Sequence, residues 1–322
     1  MERTNYAIPI SYISPSSLAI FYKNREEWAL RYALPSRPPR MPQTHQMALG
    51  SAFDAYCKSY LASRLKVNGW SSTLSFERLF EKQVEPQCRD LARVDGGKVF
   101  KFYCDSGAMA NLCLELERAV EEPTFEADVA KEVHLDGRVS YKLFGKTDLS
   151  FKVKSGGSVV YDWKCNGFYS SQKPSPKKGY VHSLPTGKMH RHATPLSFEG
   201  IIINGACKIE DVDPTWAEQL VIYGWSLGAE VGSQFVVGID QIIGAEGVYM
   251  FRSVPGTSFQ NIVHERCVKM WEACLSGWVF DNVSFEENLL VLERLERENT
   301  VSSTGEQKER DLWLNQISRS AW

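Results

Sequence analysis

Asp148 and the run Asp162-Trp163-Lys164 put two carboxylates and a lysine a short distance apart in the chain. Those residue types at that spacing can build a metal-dependent phosphodiesterase. Carboxylate oxygens suit hard divalent cations such as Mg²⁺ or Mn²⁺. A bound ion polarises a phosphoryl oxygen and helps a water become hydroxide near neutral pH. A lysine beside it can orient that water or stabilise charge growing on the phosphate. Taken alone, an Asp-x-Lys pair is weak evidence and fits a solvated hairpin edge better.

The local sequence predicts the element that would position these groups. Gly145-Lys146-Thr147-Asp148-Leu149-Ser150-Phe151-Lys152-Val153 and Val159-Val160-Tyr161-Asp162-Trp163-Lys164 are rich in β-branched and aromatic residues, and Lys154-Ser155-Gly156-Gly157-Ser158 between them is a turn sequence. This is a β-hairpin. Side chains alternate along a strand, so Asp162 and Lys164 share one face and Trp163 takes the other, with Asp148 roughly level with Asp162.

Around the hairpin the chain divides into three stretches. Residues 1–127 read as mainly helical, with Ser14-Pro15 as a helix start, a Pro/Arg loop over 35–42, a helix over about 48–65 and another over about 105–121. Residues 128–256 read as a mixed core: candidate strands at 132–135 and 139–144, the hairpin, a helix over 214–225, and strands at 235–239 and 247–251. Residues 257–322 read as helical, with a break at Ser302-Ser303-Thr304-Gly305.

These motifs together resemble the PD-(D/E)XK nuclease superfamily, specifically the RecB-like branch of phage and CRISPR-associated exonucleases. The pattern Gly-x-x-Asp, hairpin, Asp/Glu-x-Lys corresponds to Gly145-Lys146-Thr147-Asp148 and Asp162-Trp163-Lys164. The branch's Gln-x-x-x-Tyr helix corresponds to Gln219-Leu220-Val221-Ile222-Tyr223. Its Ser-rich helix start and Arg-Tyr positions correspond to Ser14–Leu18 and Trp28–Tyr32, and its Gly-x-x-x-His element to Gly50-Ser51-Ala52-Phe53-Asp54. The resemblance covers roughly residues 14–225. It implies an α/β (α+β) restriction-endonuclease-like core, a mixed central β-sheet flanked by helices, with an N-terminal helical portion.

It also implies roles. Asp148, Asp162 and Lys164 would be catalytic, with Asp148 and Asp162 holding Mg²⁺ or Mn²⁺. Asp54 stands where the branch has histidine; it would be a third metal ligand, or a polar-face residue on a helix whose apolar stripe is Leu49, Ala52, Phe53, Tyr56 and Tyr60. Gln219 and Tyr223 share a helix face and would position substrate, although Tyr223 also fits an apolar stripe with Trp216 and Leu220. Glu132 is a further upstream carboxylate that would reach the metal or sit exposed on a strand. Some relatives carry an iron–sulfur cluster; Asn24 replaces a cysteine there, only Cys267 and Cys274 lie late in the chain, and no Cys-x-x-Cys exists, so no cluster is expected.

Residues 165–198 contain no Asp or Glu but carry Lys173, Lys177, Lys178, Lys188 and Arg191 with several prolines. This reads as a long loop leaving the Asp162/Lys164 strand, suited to DNA phosphates or simply solvated. His190 and His192 lack the further ligands that zinc requires. The formal net charge of −2 excludes a globally basic nucleic-acid binder, so steering must be local. Scattered cysteines and the absence of a signal peptide or a membrane-length apolar run predict reduced thiols and a cytoplasmic protein, in the host cell if viral. The expected function is hydrolysis of DNA from an end, in recombination, repair or degradation, with DNA as partner and a homo-oligomer or a recombination protein as a further one. The alternatives are a catalytically silent nucleic-acid-binding or assembly protein on the same fold, and an endonuclease or RNA-directed enzyme of the same chemistry.

Overall fold

The computed structural model describes residues 8, 10–35, 37–38, 41–65, 74–135, 138–154, 157–166, 196–198, 201–203, 208–244 and 247–300. It is a mixed α/β fold whose main sheet has five strands flanked by helices. The chain divides into two compact units. One comprises Met1–Met41, Glu132–Leu143 and His264–Trp322; the other comprises Pro42–Lys131 and Phe144–Val263.

The first unit begins with α1 (Pro15–Lys23), capped by Ser14, whose side chain accepts from the Ser17 backbone N–H while the Ser17 hydroxyl returns a bond. That reciprocal pair satisfies two of the donors a helix start leaves open. Asn24 caps the short α2 (Arg25–Trp28) by accepting from Glu27 N–H, so a local capping role accounts for asparagine there. Residues 285–300 are helical.

The second unit holds α3 (His45–Leu65), α4 (Phe76–Gln83), α5 (Arg89–Asp105) and α6 (Ala108–Leu116), then β1 (Thr124–Leu135), β2 (Arg138–Lys152) and β3 (Ser158–Asn166), of which β1 and β2 also contribute residues to the first unit. A two-stranded ribbon, β4 (Leu196–Phe198) with β5 (Ile201–Ile203), precedes α7 (Ile209–Val212) and α8 (Pro214–Ser226). Strands β6 (Val236–Ile243) and β7 (Gly247–Ser253) complete the main sheet before α9 (Thr257–Ser276). The main sheet runs β1-β2-β3-β6-β7. β2 and β3 form the expected antiparallel hairpin, with Leu149 opposite Tyr161. β3 and β6 pair in parallel, with Asp162 opposite Ile239, and β6 and β7 are antiparallel.

Three expectations change in detail. The candidate strand at 139–144 and the first hairpin strand are one continuous strand, β2, because Gly145 does not interrupt it. The helix expected over 105–121 is instead the end of α5 and a separate α6, divided at Gly107, whose φ of +82° lies where glycine has no steric penalty. Tyr60 is exposed and leaves the apolar stripe of α3, while Leu49, Ala52 and Phe53 are buried.

Leu49, Phe53, Cys57 and Leu61 of α3, Val99 and Tyr103 of α5, and Leu112 of α6 pack with Tyr161 and Trp163 of β3 in one core. Within it lies a buried polar network. Arg252 of β7 donates to Asp240 of β6 (2.9 Å), to Glu115 of α6 (3.0 and 3.1 Å) and to the Tyr161 hydroxyl (3.1 Å). The Tyr103 hydroxyl donates to the other Asp240 oxygen and accepts from Trp163 Nε1 at 3.3 Å. The network joins β3, β6 and β7 to α5 and α6, and so fixes the strand that carries Asp162 and Lys164. No described helix is long and apolar enough to cross a membrane.

Removing Arg252 would leave Asp240, which is fully buried, without its counter-charge. Arg252→Met should therefore cost about 3–5 kcal/mol in chemical denaturation; a loss under about 1 kcal/mol would contradict the role given to this network.

Candidate metal centre

Asp54 and Lys58 lie one turn apart on α3 and face the same way. Lys58 is fully buried, a rare state for lysine that demands partners. Its ammonium reaches Asp54 Oδ2 at 2.6 Å, Asp148 Oδ1 at 3.4 Å and Glu126 Oε1 in a short contact. Gln83, the last residue of α4, donates to Asp54 Oδ2 at 2.9 Å and to Glu126 Oε1 at 3.4 Å. Glu126 lies on β1 with φ of +53°, a left-handed conformation that costs a non-glycine residue about 1–2 kcal/mol. Its second oxygen pairs with Lys146 of β2.

The hairpin register brings Asp148 level with Asp162, one step beyond the Leu149–Tyr161 pair, and each carboxyl shifts the ionisation of the other. Lys164 Nζ pairs with Asp162 Oδ2 at 2.5 Å and donates to Gln219 Oε1 at 3.1 Å. Gln219 Nε2 in turn donates to the Tyr223 hydroxyl at 3.2 Å. The Trp216 ring centre is 5.7 Å from the Lys164 ammonium, within cation–π range. Helix α8 comes close because β2 has a glycine there: a Cβ on Gly145 would lie 2.5 Å from Tyr223 Cε1. The Gly-x-x-Asp motif thus has a packing reason as well as a chemical one.

Burial dominates the electrostatics, and the lysines decide which carboxyls stay ionised. Burial pushes Asp54 up to about 7 in spite of Lys58. Asp162 also rises to about 7, through burial first and then the Asp148 charge, against the pull of Lys164. Burial acts on Asp148 too, but Lys58, the neighbouring Asp162 carboxyl and Lys164 together hold it below the usual carboxylate range. Glu126 is likewise held low, because Lys58 and Lys146 outweigh its burial. Lys58 stays protonated: burial opposes its charge, and Asp54, Asp148 and Glu126 more than offset that. Burial raises Tyr223 to about 12.

Asp54, Glu126 and Asp148 each offer a carboxylate oxygen, all within 4.8 Å of one another, an arrangement that could hold a metal ion. The donors are all oxygen, which suits a hard divalent cation. Asp54 Oδ1 is buried with no hydrogen-bond partner, an acceptor whose capacity is unused. The donor chemistry of these residues fits such an ion, and the Lys58 ammonium already lies against all three.

Of the residues expected from sequence, Asp54, Asp148, Asp162, Lys164, Gln219 and Tyr223 come together here. Tyr223 is partly buried against Gly145 and serves both packing and the Gln219 contact. Glu132 belongs to the other unit, is about half exposed, and pairs with Lys142 at 2.6 Å and His134 at 3.8 Å; it is an ordinary surface strand residue. Lys173, Lys177, Lys178, Lys188 and Arg191, with His190 and His192, lie outside the described residues. Sequence reasoning missed Glu126, Lys58 and Gln83. The one available signal for Lys58 was its place four residues after Asp54 in an apolar stretch of helix.

No family model matches the chain, and no curated protein matches it. Among solved structures, the one titled "Crystal structure of SSO0001" is similar over 83% of this chain and 95% of its own, at 13% identity and a TM-score of 0.24. That likeness is too slight to bear on function.

Asp54 and Asp162 have folded values raised from 3.8 to about 7. Each therefore binds more protons folded than unfolded between those values, and its contribution to metal-free stability declines as pH rises through that window. Asp162→Asn removes one such group. Without divalent ions it should stabilise the fold more at pH 8 than at pH 5, read by chemical denaturation; an equal effect at both would contradict the raised carboxyl.

Proposed function

We propose that this chain is a divalent-metal-dependent nuclease that hydrolyses DNA phosphodiester bonds from a strand end, on the PD-(D/E)XK plan its sequence resembles. The observation that carries the reading is the convergence of Asp148, Asp162 and Lys164, from two adjacent strands, with Asp54 from a helix. Asp54, Asp148 and Asp162 would hold the ion, with Mg²⁺ or Mn²⁺ the fitting choices. When bound, such an ion supplies Lewis-acid polarisation of the phosphoryl group and acidifies a water.

The remaining work belongs to the chain's own side chains. Lys164, fixed between Asp162 and Gln219, presents N–H donors to orient the attacking water and to bind charge growing on the phosphoryl oxygens. Gln219 limits the lysine to one geometry, and Tyr223 anchors Gln219; such positioning is worth large factors in rate. DNA as the substrate is supported by the sequence resemblance and by the acid-free, lysine-rich composition of residues 165–198.

A second reading is a catalytically silent nucleic-acid-binding protein on the same fold. The observation in its favour is Lys58, which already pairs with three of the carboxylates.

The test is linear DNA, single- and double-stranded, labelled at the 5′ or 3′ end, incubated with Mg²⁺, Mn²⁺ or EDTA. Metal-dependent loss of label is expected, and Asp162→Ala and Lys164→Ala should each reduce it about 10³-fold or more. Gly145→Ala, by displacing Tyr223 and hence Gln219, should reduce it about 10–100-fold. Full activity in Asp162→Ala or Lys164→Ala would defeat the assignment. DNA binding that ignores EDTA, with no product, would favour the second reading.

A further inference from the structure

We propose that Lys58 is a resident cation that fills one of two cation positions in this carboxylate cluster, so that the site takes a single divalent ion. The inference rests on the metal-dependent reading above and adds to it the number of ions.

Lys58 has no solvent exposure and lies among Cys57, Leu61 and Ala62 on α3, all buried. A lysine in such a position survives only with anions around it. Its three carboxylate partners, Asp54, Glu126 and Asp148, are the same three residues that could hold a metal. Two-ion phosphoryl-transfer sites hold their cations a few ångströms apart across shared carboxylates, and here an ammonium already occupies one such position.

The oxygens are divided accordingly. Both Glu126 oxygens are taken, Oε1 by Lys58 and Oε2 by Lys146. Asp54 Oδ2 accepts from Lys58 and Gln83. Asp54 Oδ1 is buried and has no hydrogen-bond partner. Glu126 is thus committed to holding Lys58, and Asp54 offers one oxygen to the lysine and keeps the other open for an ion.

Charge agrees with this division. Four carboxylates (Asp54, Glu126, Asp148 and Asp162) face three ammonium groups (Lys58, Lys146 and Lys164), which leaves one formal negative charge when all are ionised. One divalent ion reverses that charge, and a second would leave a strongly positive cluster with few oxygens to share. Without Lys58 the deficit is larger and the Glu126 and Asp54 oxygens it holds are released.

The experiment is Mn²⁺ binding to the full chain, followed through the resonance signal of free Mn²⁺, together with melting curves with and without Mn²⁺. The parent should bind one ion. Lys58→Gln should bind two, and Mn²⁺ should raise its melting temperature more than it raises the parent's, because the ion replaces a missing cation. Lys58→Arg, which keeps the charge, should still bind one. If Lys58→Gln folds only with Mn²⁺ present, that also supports the substitution of ion for lysine. One ion bound to parent and Lys58→Gln alike, with equal gains in melting temperature, would overturn this inference and leave the proposed function standing; so would two ions on the parent. No Mn²⁺ bound by the parent would overturn both.

Discussion

Four carboxylates gathered in a largely buried cluster repel one another, and burial makes their charges costly. The site depends on how that repulsion is offset. Lys58, Lys146 and Lys164 neutralise part of it, and the raised affinity of Asp54 and Asp162 for a proton absorbs another part. With all four ionised one negative charge is left over, which the metal-free protein meets near neutral pH with protons on Asp54 and Asp162. A folded protein that keeps such an imbalance gives up stability, and strain of this kind collects at functional sites. The left-handed backbone at Glu126 is a second instance in the same cluster.

The scaffold serves this cluster by rigid means. Asp148 and Asp162 sit on paired strands, so their separation is set by backbone hydrogen bonds rather than by loop conformation. β3 is held on its other edge by parallel pairing to β6. Beneath, the Arg252–Asp240–Tyr103 network locks the core behind Trp163. Helix α3 contributes Asp54 and Lys58 from a thoroughly buried segment. Each charged group is thus presented by an element whose position is determined by apolar packing.

What was legible in the sequence was local. The hairpin follows from two β-rich runs around a Gly/Ser turn, and strand alternation puts Asp162 and Lys164 opposite Trp163. Gln219 and Tyr223 follow from helical spacing, and the start of α1 from Ser14 and Pro15. What was not legible depends on long-range packing. Glu126 enters the cluster through β1 beside β2, a pairing with no local signature. Lys58 four residues after Asp54 looks like an ordinary surface ion pair; only its burial makes it part of the centre. Glu132 was equally plausible as a ligand by sequence and pairs instead with Lys142. Gly145 resembled a strand boundary, yet β2 runs through it because the Tyr223 ring takes the place of a side chain.

The central claim is the proposal that Asp54, Asp148 and Asp162 together take a divalent cation. The most direct measurement is anomalous scattering at the manganese edge from crystals of the chain grown or soaked with Mn²⁺. The account predicts a peak bonded by oxygens of these three aspartates, with Lys58 still paired to Glu126. A peak elsewhere, or ordered side chains in this cluster with no peak at saturating Mn²⁺, would contradict it.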